Sequence, residues 1–110
     1  MTQPNPTQPI RLIAVDLDNT LLNSQHQMSE RTEKTLKAAA AAGVHVVLAT
    51  GKTYQAGSVI SRKLGLTSPG IYVQGTTVYN SDGSLRSQST LEPRIVRQAL
   101  TFAEDRGYAM

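Results

Sequence analysis

The chain has no cysteine, no tryptophan and a single phenylalanine, and it contains no apolar run long enough to cross a bilayer. Without thiols there can be no disulfide staple, cysteine nucleophile or thiolate metal site, and the composition is compatible with a reducing, cytoplasmic setting. Histidine is scarce too: His26 and His45 lie far apart, and the second falls in a strand pattern, so a histidine-built metal site is not expected. Charge of either sign is modest. Eleven Lys and Arg against eight Asp and Glu leave +3, scattered with no basic block longer than the RK at 62–63. Nucleic-acid binders display a basic patch or stripe, so neither nucleic acid nor a membrane is the expected partner. Arg86, Arg94, Arg97 and Arg106 give the last third a basic lean that solvated helix and turn positions explain. The opening MTQPNPTQP is polar and proline-rich, with no basic end or apolar centre, and reads as a flexible tail over 1–9 rather than a signal peptide.

What is present suffices for one small core, since 110 residues with 39% hydrophobic content is ordinary for a single globular unit. The run Ile10 to Leu17 is apolar on both faces, as a strand covered on both sides would be. After the loop NSQHQMS, Ser29 is placed to cap a helix from about Glu30 to Ala42, with Glu30 and Glu33 suiting its positive end. Leu36, Ala39 and Ala40 share a side of it, and Gly43 stands where a left-handed residue closes a helix. A second strand is expected over Val44 to Ala49. A second helix follows over about Thr53 to Leu64, with Ala56, Val59, Ile60 and Leu64 as its buried stripe. A short strand, GIYV, comes next at 70–73. The order β-α-β-α-β argues for an α/β fold with a parallel sheet.

Beyond residue 73 the grammar changes. TTVYNSDGSLRS reads as a β-hairpin turning at SDG. Glu92-Pro93 then opens a helix that runs to about Arg106, ends at Gly107 and has Ile95, Val96, Ala99, Leu100 and Ala103 on one side. The final YAM begins a further segment, read as the start of a strand.

In open α/β sheets, ligands bind beyond the carboxyl ends of the strands. Asp16 and Asp18 stand there, two residues apart, so an extended chain would aim both carboxylates to one side and Leu17 to the other. A hard divalent cation such as Mg²⁺ would relieve their repulsion. DLDNT equally suits plain turn and helix-cap chemistry. The second strand ends in LATGKTY, where Thr50, Gly51 and Lys52 offer a hydroxyl, a closely approachable amide and a cation, all suited to phosphate oxygens. Lys52 is also an ordinary solvated residue for a helix start. GKT here is not a P-loop, because the loop's first glycine is missing and strand runs up to Gly51.

Together, DLDNTLL, the downstream ATGKT and YVQGTTVYNSDG resemble the haloacid dehalogenase superfamily of phosphohydrolases, and more narrowly its Cof-type branch with a large inserted cap. The resemblance runs from Ile10 to Met110. It implies a Rossmann-like parallel core over 10–85 and the beginning of the cap over 86–110. It further implies Mg²⁺-dependent hydrolysis of a small phosphorylated metabolite. Asp16 would be the nucleophile and Asp18 the general acid and base. Asp16 and the Asp18 backbone carbonyl would bind the metal, and Thr50, Gly51 and Lys52 the phosphate. The branch often has TGR where this chain has Lys52, which keeps the charge without the planar fork. It usually has NG where this chain has Gln74-Gly75, and the longer amide would reshape the pocket rim.

The same resemblance makes two absences conspicuous. The family's later lysine motif and its acidic DD or GDxxND motif are not in the sequence; the acids after Glu33 are Asp82, Glu92, Glu104 and Asp105, in a turn or around the last helix. One carboxylate and one carbonyl make a thin Mg²⁺ site, so little hydrolysis is expected from these residues alone. The family's first strand is central, and here it would be an open apolar edge, available for self-association or for a complementary chain. Three readings therefore stand: the N-terminal part of a phosphatase, a binding or assembly module completed by another chain, and a small domain using its aspartates as caps. The motifs do not separate phosphatase from phosphomutase chemistry.

Overall fold

The computed structural model describes residues 8–109. The expected tail over 1–9 lies mostly outside them, as does Met110 of the final YAM. The elements are β1 (Leu12–Val15), α1 (Glu30–Ala41), β2 (His45–Leu48), α2 (Tyr54–Leu64), β3 (Gly70–Tyr72), β4 (Thr77–Tyr79), β5 (Leu85–Gln88) and α3 (Pro93–Asp105).

Local chemistry sets most of the boundaries. Ser29 is extended and its hydroxyl accepts from Thr32 N at 3.1 Å, capping α1; Thr53 does the same for Ala56 N at 3.3 Å at the start of α2. Gly65 ends α2 at φ 65°, where a side chain would be strained, while its amide and that of Leu66 satisfy late carbonyls. The hairpin turn is held by Asp82, whose carboxylate accepts from the Ser84 amide at 2.9 Å and hydroxyl at 2.6 Å. Those bonds hold the Asp82 carboxyl below its usual range.

β1 and β2 pair in parallel, Leu12 opposite His45 through Val15 opposite Leu48. β3, β4 and β5 form an antiparallel sheet with an irregularity between Val78 and Tyr79. A parallel bridge from Ala49 to Ile71, with Thr50 N donating to Ile71 O at 3.0 Å, joins the two sheets. The expected α/β architecture with a parallel sheet and a following hairpin is therefore what forms.

The core lies between the helices and one face of β2: Val46 and Leu48 meet Leu36 of α1, Leu64 of α2, and Leu17, Leu21 and Leu22 from the turn after β1. Alternation along the strands explains the opposite face. Leu12 remains 55% exposed and shares an open apolar groove with Val47, Ile71 and Val78. β1 is thus shorter than Ile10 to Leu17 and covered on one face only among the described residues.

Two expected helix faces differ from those observed. In α2, Ala56 and Val59 are exposed, while Gly57 and Ser58 turn inward. The cause is a close approach: a Cβ on Gly57 would lie 2.8 Å from Cε1 of the Tyr72 ring. The missing side chain lets the helix settle on β3. In α3, Ile95, Val96 and Leu100 are about 40% exposed, and only Ala103 is buried. Among the described residues α3 makes few contacts with the sheets. Its apolar periodicity is real, but among the described residues nothing covers it.

Candidate active site

Asp16 follows immediately on β1. The chain does not stay extended beyond it: it turns, with Leu21 N donating to Asp16 O at 3.3 Å, Leu22 N to Leu17 O at 2.8 Å, and Asn19 at φ 57°. The arrangement expected from an extended chain is replaced by a turn that buries Leu17 completely and ties the loop to the core. The two carboxylates then have different surroundings. Asp16 Oδ1 accepts from the Leu17 amide at 2.8 Å, and Oδ2 receives a long contact of 3.5 Å from the Thr20 hydroxyl. Asp18 is held by two side chains instead, with the Lys52 Nζ 3.3 Å from Oδ2 and the His26 ring nitrogen Nδ1 3.2 Å from Oδ1.

Thr50 is the other fixed point. It is 5% exposed, its amide is bonded to Ile71 O, and its hydroxyl accepts from Lys52 N at 3.1 Å. Asp16, Thr50 and Gly51 line a single cleft of about 420 Å³ with Ala49, Ile71, Gln74 and Gly75. Of the five residues singled out in the sequence, these three share the cleft, while Asp18 and Lys52 sit beside it as an ion pair.

The rim is completed from β3. Val73, Gln74 and Gly75 all have positive φ, at 49°, 55° and 90°. For a β-branched residue this is a rare and strained conformation. It is maintained by bonds from Val73 N to Lys52 O at 2.9 Å and Gln74 N to Thr50 O at 3.4 Å, which knit the turn onto the Thr50–Lys52 loop. The Gln74 carboxamide lies against Gly51, where any Cβ would collide with its nitrogen. A side chain at 51 would therefore displace the Gln74 carboxamide.

Two contacts had no counterpart in the sequence reading. His26 reaches Asp18 from a loop eight residues on, where its own φ is 59°, and Thr20 approaches Asp16. Neither pairing has a spacing signature, because each depends on how the turn closes. Among the described residues, no cluster of three or more His, Asp or Glu gathers with metal-binding geometry. No helix is long and apolar enough to cross a membrane.

Comparison with known proteins agrees with this architecture. The family model of haloacid dehalogenase-like hydrolases matches residues 13–110. Phosphatase YwpJ of Bacillus subtilis is 33% identical over 99 residues, which are 90% of this chain and 35% of YwpJ. The 5-amino-6-(5-phospho-D-ribitylamino)uracil phosphatase YcsE of the same organism is 34% identical over 82 residues, or 74% of this chain and 33% of YcsE. A solved haloacid dehalogenase-like hydrolase from B. subtilis superposes with a TM-score of 0.75 at 33% identity, covering 89% of this chain and 34% of that one. BT1666 from Bacteroides thetaiotaomicron superposes with a TM-score of 0.80 over 96% of this chain and 39% of its own, and at 21% identity the likeness speaks for the fold alone. The chain spans about a third of the length of these relatives. With the family model matching nearly the whole chain and the fold in agreement, the chain belongs to the haloacid dehalogenase-like hydrolases.

Proposed function

We propose that this chain carries the opening part of a phosphomonoesterase site, with Asp16 as the nucleophile toward a small phosphorylated metabolite. The observation that carries the reading is the contrast between the two aspartates. Asp16 faces the cleft with no Lys, Arg or His within ion-pair distance among the described residues, while Asp18 is held by Lys52 and His26. A nucleophile needs an accessible lone pair, and the amide of Leu17 orients one Asp16 oxygen while the other is only loosely held.

Asp16 would attack phosphorus, forming an oxygen–phosphorus bond as the ester P–O bond breaks and the leaving oxygen takes a proton from Asp18. Water would then attack the aspartyl-phosphate, giving its proton to Asp18 and releasing phosphate from Asp16. The Thr50 hydroxyl and Gly51 amide would hydrogen-bond the equatorial oxygens, and Lys52 would supply positive charge from the rim.

The donor set suits Mg²⁺ in part. Among the described residues the Asp16 carboxylate has no cationic partner and no backbone N–H donates to the Asp18 carbonyl. These two oxygens would hold the ion, the remaining positions falling to water and phosphate. When bound, Mg²⁺ neutralises charge on the phosphoryl group. The division into a core over 10–85 and the beginning of a Cof-type cap over 86–110 belongs to the same reading, and the sparse contact of α3 with the sheets supports it.

A second reading rests on the open edge of β1. Among the described residues β1 pairs only with β2, and Ile10 and Leu12 are more than half exposed. A complementary chain or second copy seated there would make this an assembly module whose site is completed in trans. Phosphate release from a generic phosphomonoester in Mg²⁺, compared between the chain and Asp16→Asn, tests the first reading. Release abolished by the substitution supports it, and release that survives overturns it. Light scattering across a concentration series tests the second, which a strictly monomeric chain with no binding partner would contradict.

A further inference from the structure

Gln74 lies outside both DLDNTLL and ATGKT. It enters the cleft from β3, on a turn whose three successive positive φ values are costly at Val73 and Gln74. Such strain persists where surrounding bonds over-determine it. Here those bonds are Val73 N to Lys52 O and Gln74 N to Thr50 O, so the strained turn is registered directly on the loop expected to hold phosphate. A threonine follows that locks the other end, with Thr76 Oγ1 donating to Val73 O at 2.7 Å and Thr76 N donating to the same carbonyl at 3.1 Å.

The side chain is exposed and lies beside Gly51. Its carboxamide nitrogen packs against Gly51, in the space a side chain at 51 would fill. Among the described residues the carboxamide has no hydrogen-bond partner, although Thr50 and Asp16 line the same cleft. It is a neutral group with two N–H donors, poised beside the amide of Gly51.

We infer that Gln74 is a phosphate-binding residue of this site, donating from its carboxamide N–H to a phosphoryl oxygen alongside Thr50 and Gly51. The inference rests on the reading of that loop as the phosphate cradle, and deepens it by adding a donor from a separate strand. It also gives Gly51 a second role, since a side chain there would push the donor out of the cleft.

Titration of the ¹⁵N-labelled chain with inorganic phosphate separates the two ideas. The Gln74 side-chain NH₂ resonances should shift together with the amides of Thr50, Gly51 and Lys52. Gln74→Glu is nearly isosteric but replaces the donor with a charged acceptor, so phosphate affinity should fall by more than about ten-fold. Gln74→Met keeps the length and loses only the donor, and should weaken binding several-fold. Amide resonances of β2 and β3 report whether either variant keeps the fold. Shifts at Thr50 to Lys52 with a silent Gln74 side chain and unchanged affinity in both variants would overturn the role of Gln74 and leave the cradle standing. No shift anywhere in the loop would overturn both.

Discussion

Lys52 Nζ lies 3.3 Å from Asp18 Oδ2, so the cation at the end of β2 is tied to the second aspartate and not to the first. His26 takes the other oxygen of Asp18 at 3.2 Å. The arrangement differentiates two carboxylates that sit two residues apart on one turn: one is oriented by charge, the other left to face the cleft.

The Asp18 pair is partly solvated, with the Lys52 side chain 30% and Asp18 40% exposed. Lys52→Met should therefore change stability by less than about 1 kcal/mol. The same substitution should weaken phosphate binding several-fold by removing the only cation at the rim that either motif supplies. Urea unfolding and a phosphate titration read the two effects separately, and a large loss of stability would show that the pair is structural.

Gly57 presents the opposite balance. Alanine is the better helix former by about 1 kcal/mol, but its Cβ would stand 2.8 Å from the Tyr72 ring. That ring is buried, meets Tyr54 edge-on at 5.5 Å and Tyr79 at 6.0 Å, and has little freedom to yield. Gly57→Ala should be net destabilising, with overpacking costing about 1–3 kcal/mol. Thermal unfolding checks the sign: an increase in Tm would mean that helix propensity outweighs the contact.

Tyr72 also makes stability depend on alkaline pH. Burial pushes its phenol above the ordinary value of 10.0, with Tyr54 adding to the shift and Arg62 opposing it. The folded state therefore holds the proton more tightly than the unfolded state. This contribution is complete below the unfolded value near 10 and is lost as pH rises through the higher folded value. Stability measured by denaturant should fall above about pH 10, and the fall should be shallower in Tyr72→Phe. An identical decline in both proteins would place the cause elsewhere.

Leu17 anchors the turn between the aspartates and is fully buried. Leu17→Ala should cost about 2–5 kcal/mol and loosen the site as well, because the Leu17 amide orients Asp16. Unfolding should lose stability by that margin, and an effect below about 1 kcal/mol would show that the turn is held by its backbone bonds alone.

The parts of this fold that were legible in the sequence are those written in local chemistry. Ser29, Thr53 and Gly65 mark helix ends because capping involves neighbours in the chain, and the hairpin announces itself through Asp82 and Gly83. The parallel pairing followed from the alternation of strand and helix. The inward face of α2 was not legible, since Gly57 and Ser58 carry no hydrophobic signal and turn inward only because Tyr72 arrives from β3. In α3 the period revealed an apolar side but not whether anything would cover it. At the site, Asp16, Thr50 and Gly51 could be named from their positions at strand ends. The His26–Asp18 contact and the packing of Gln74 on Gly51 could not, because both arise from backbone turned to positive φ at residues with no glycine to announce it.

Covalent capture of Asp16 is the decisive measurement of its role as nucleophile. The chain would be incubated with Mg²⁺ and acetyl phosphate, a donor with a good leaving group, then quenched in acid and analysed by intact and peptide mass spectrometry. The peptide that contains Asp16 should gain one phosphoryl group, lost on treatment with hydroxylamine and absent from Asp16→Asn. No adduct, or an adduct that persists in Asp16→Asn, would contradict it.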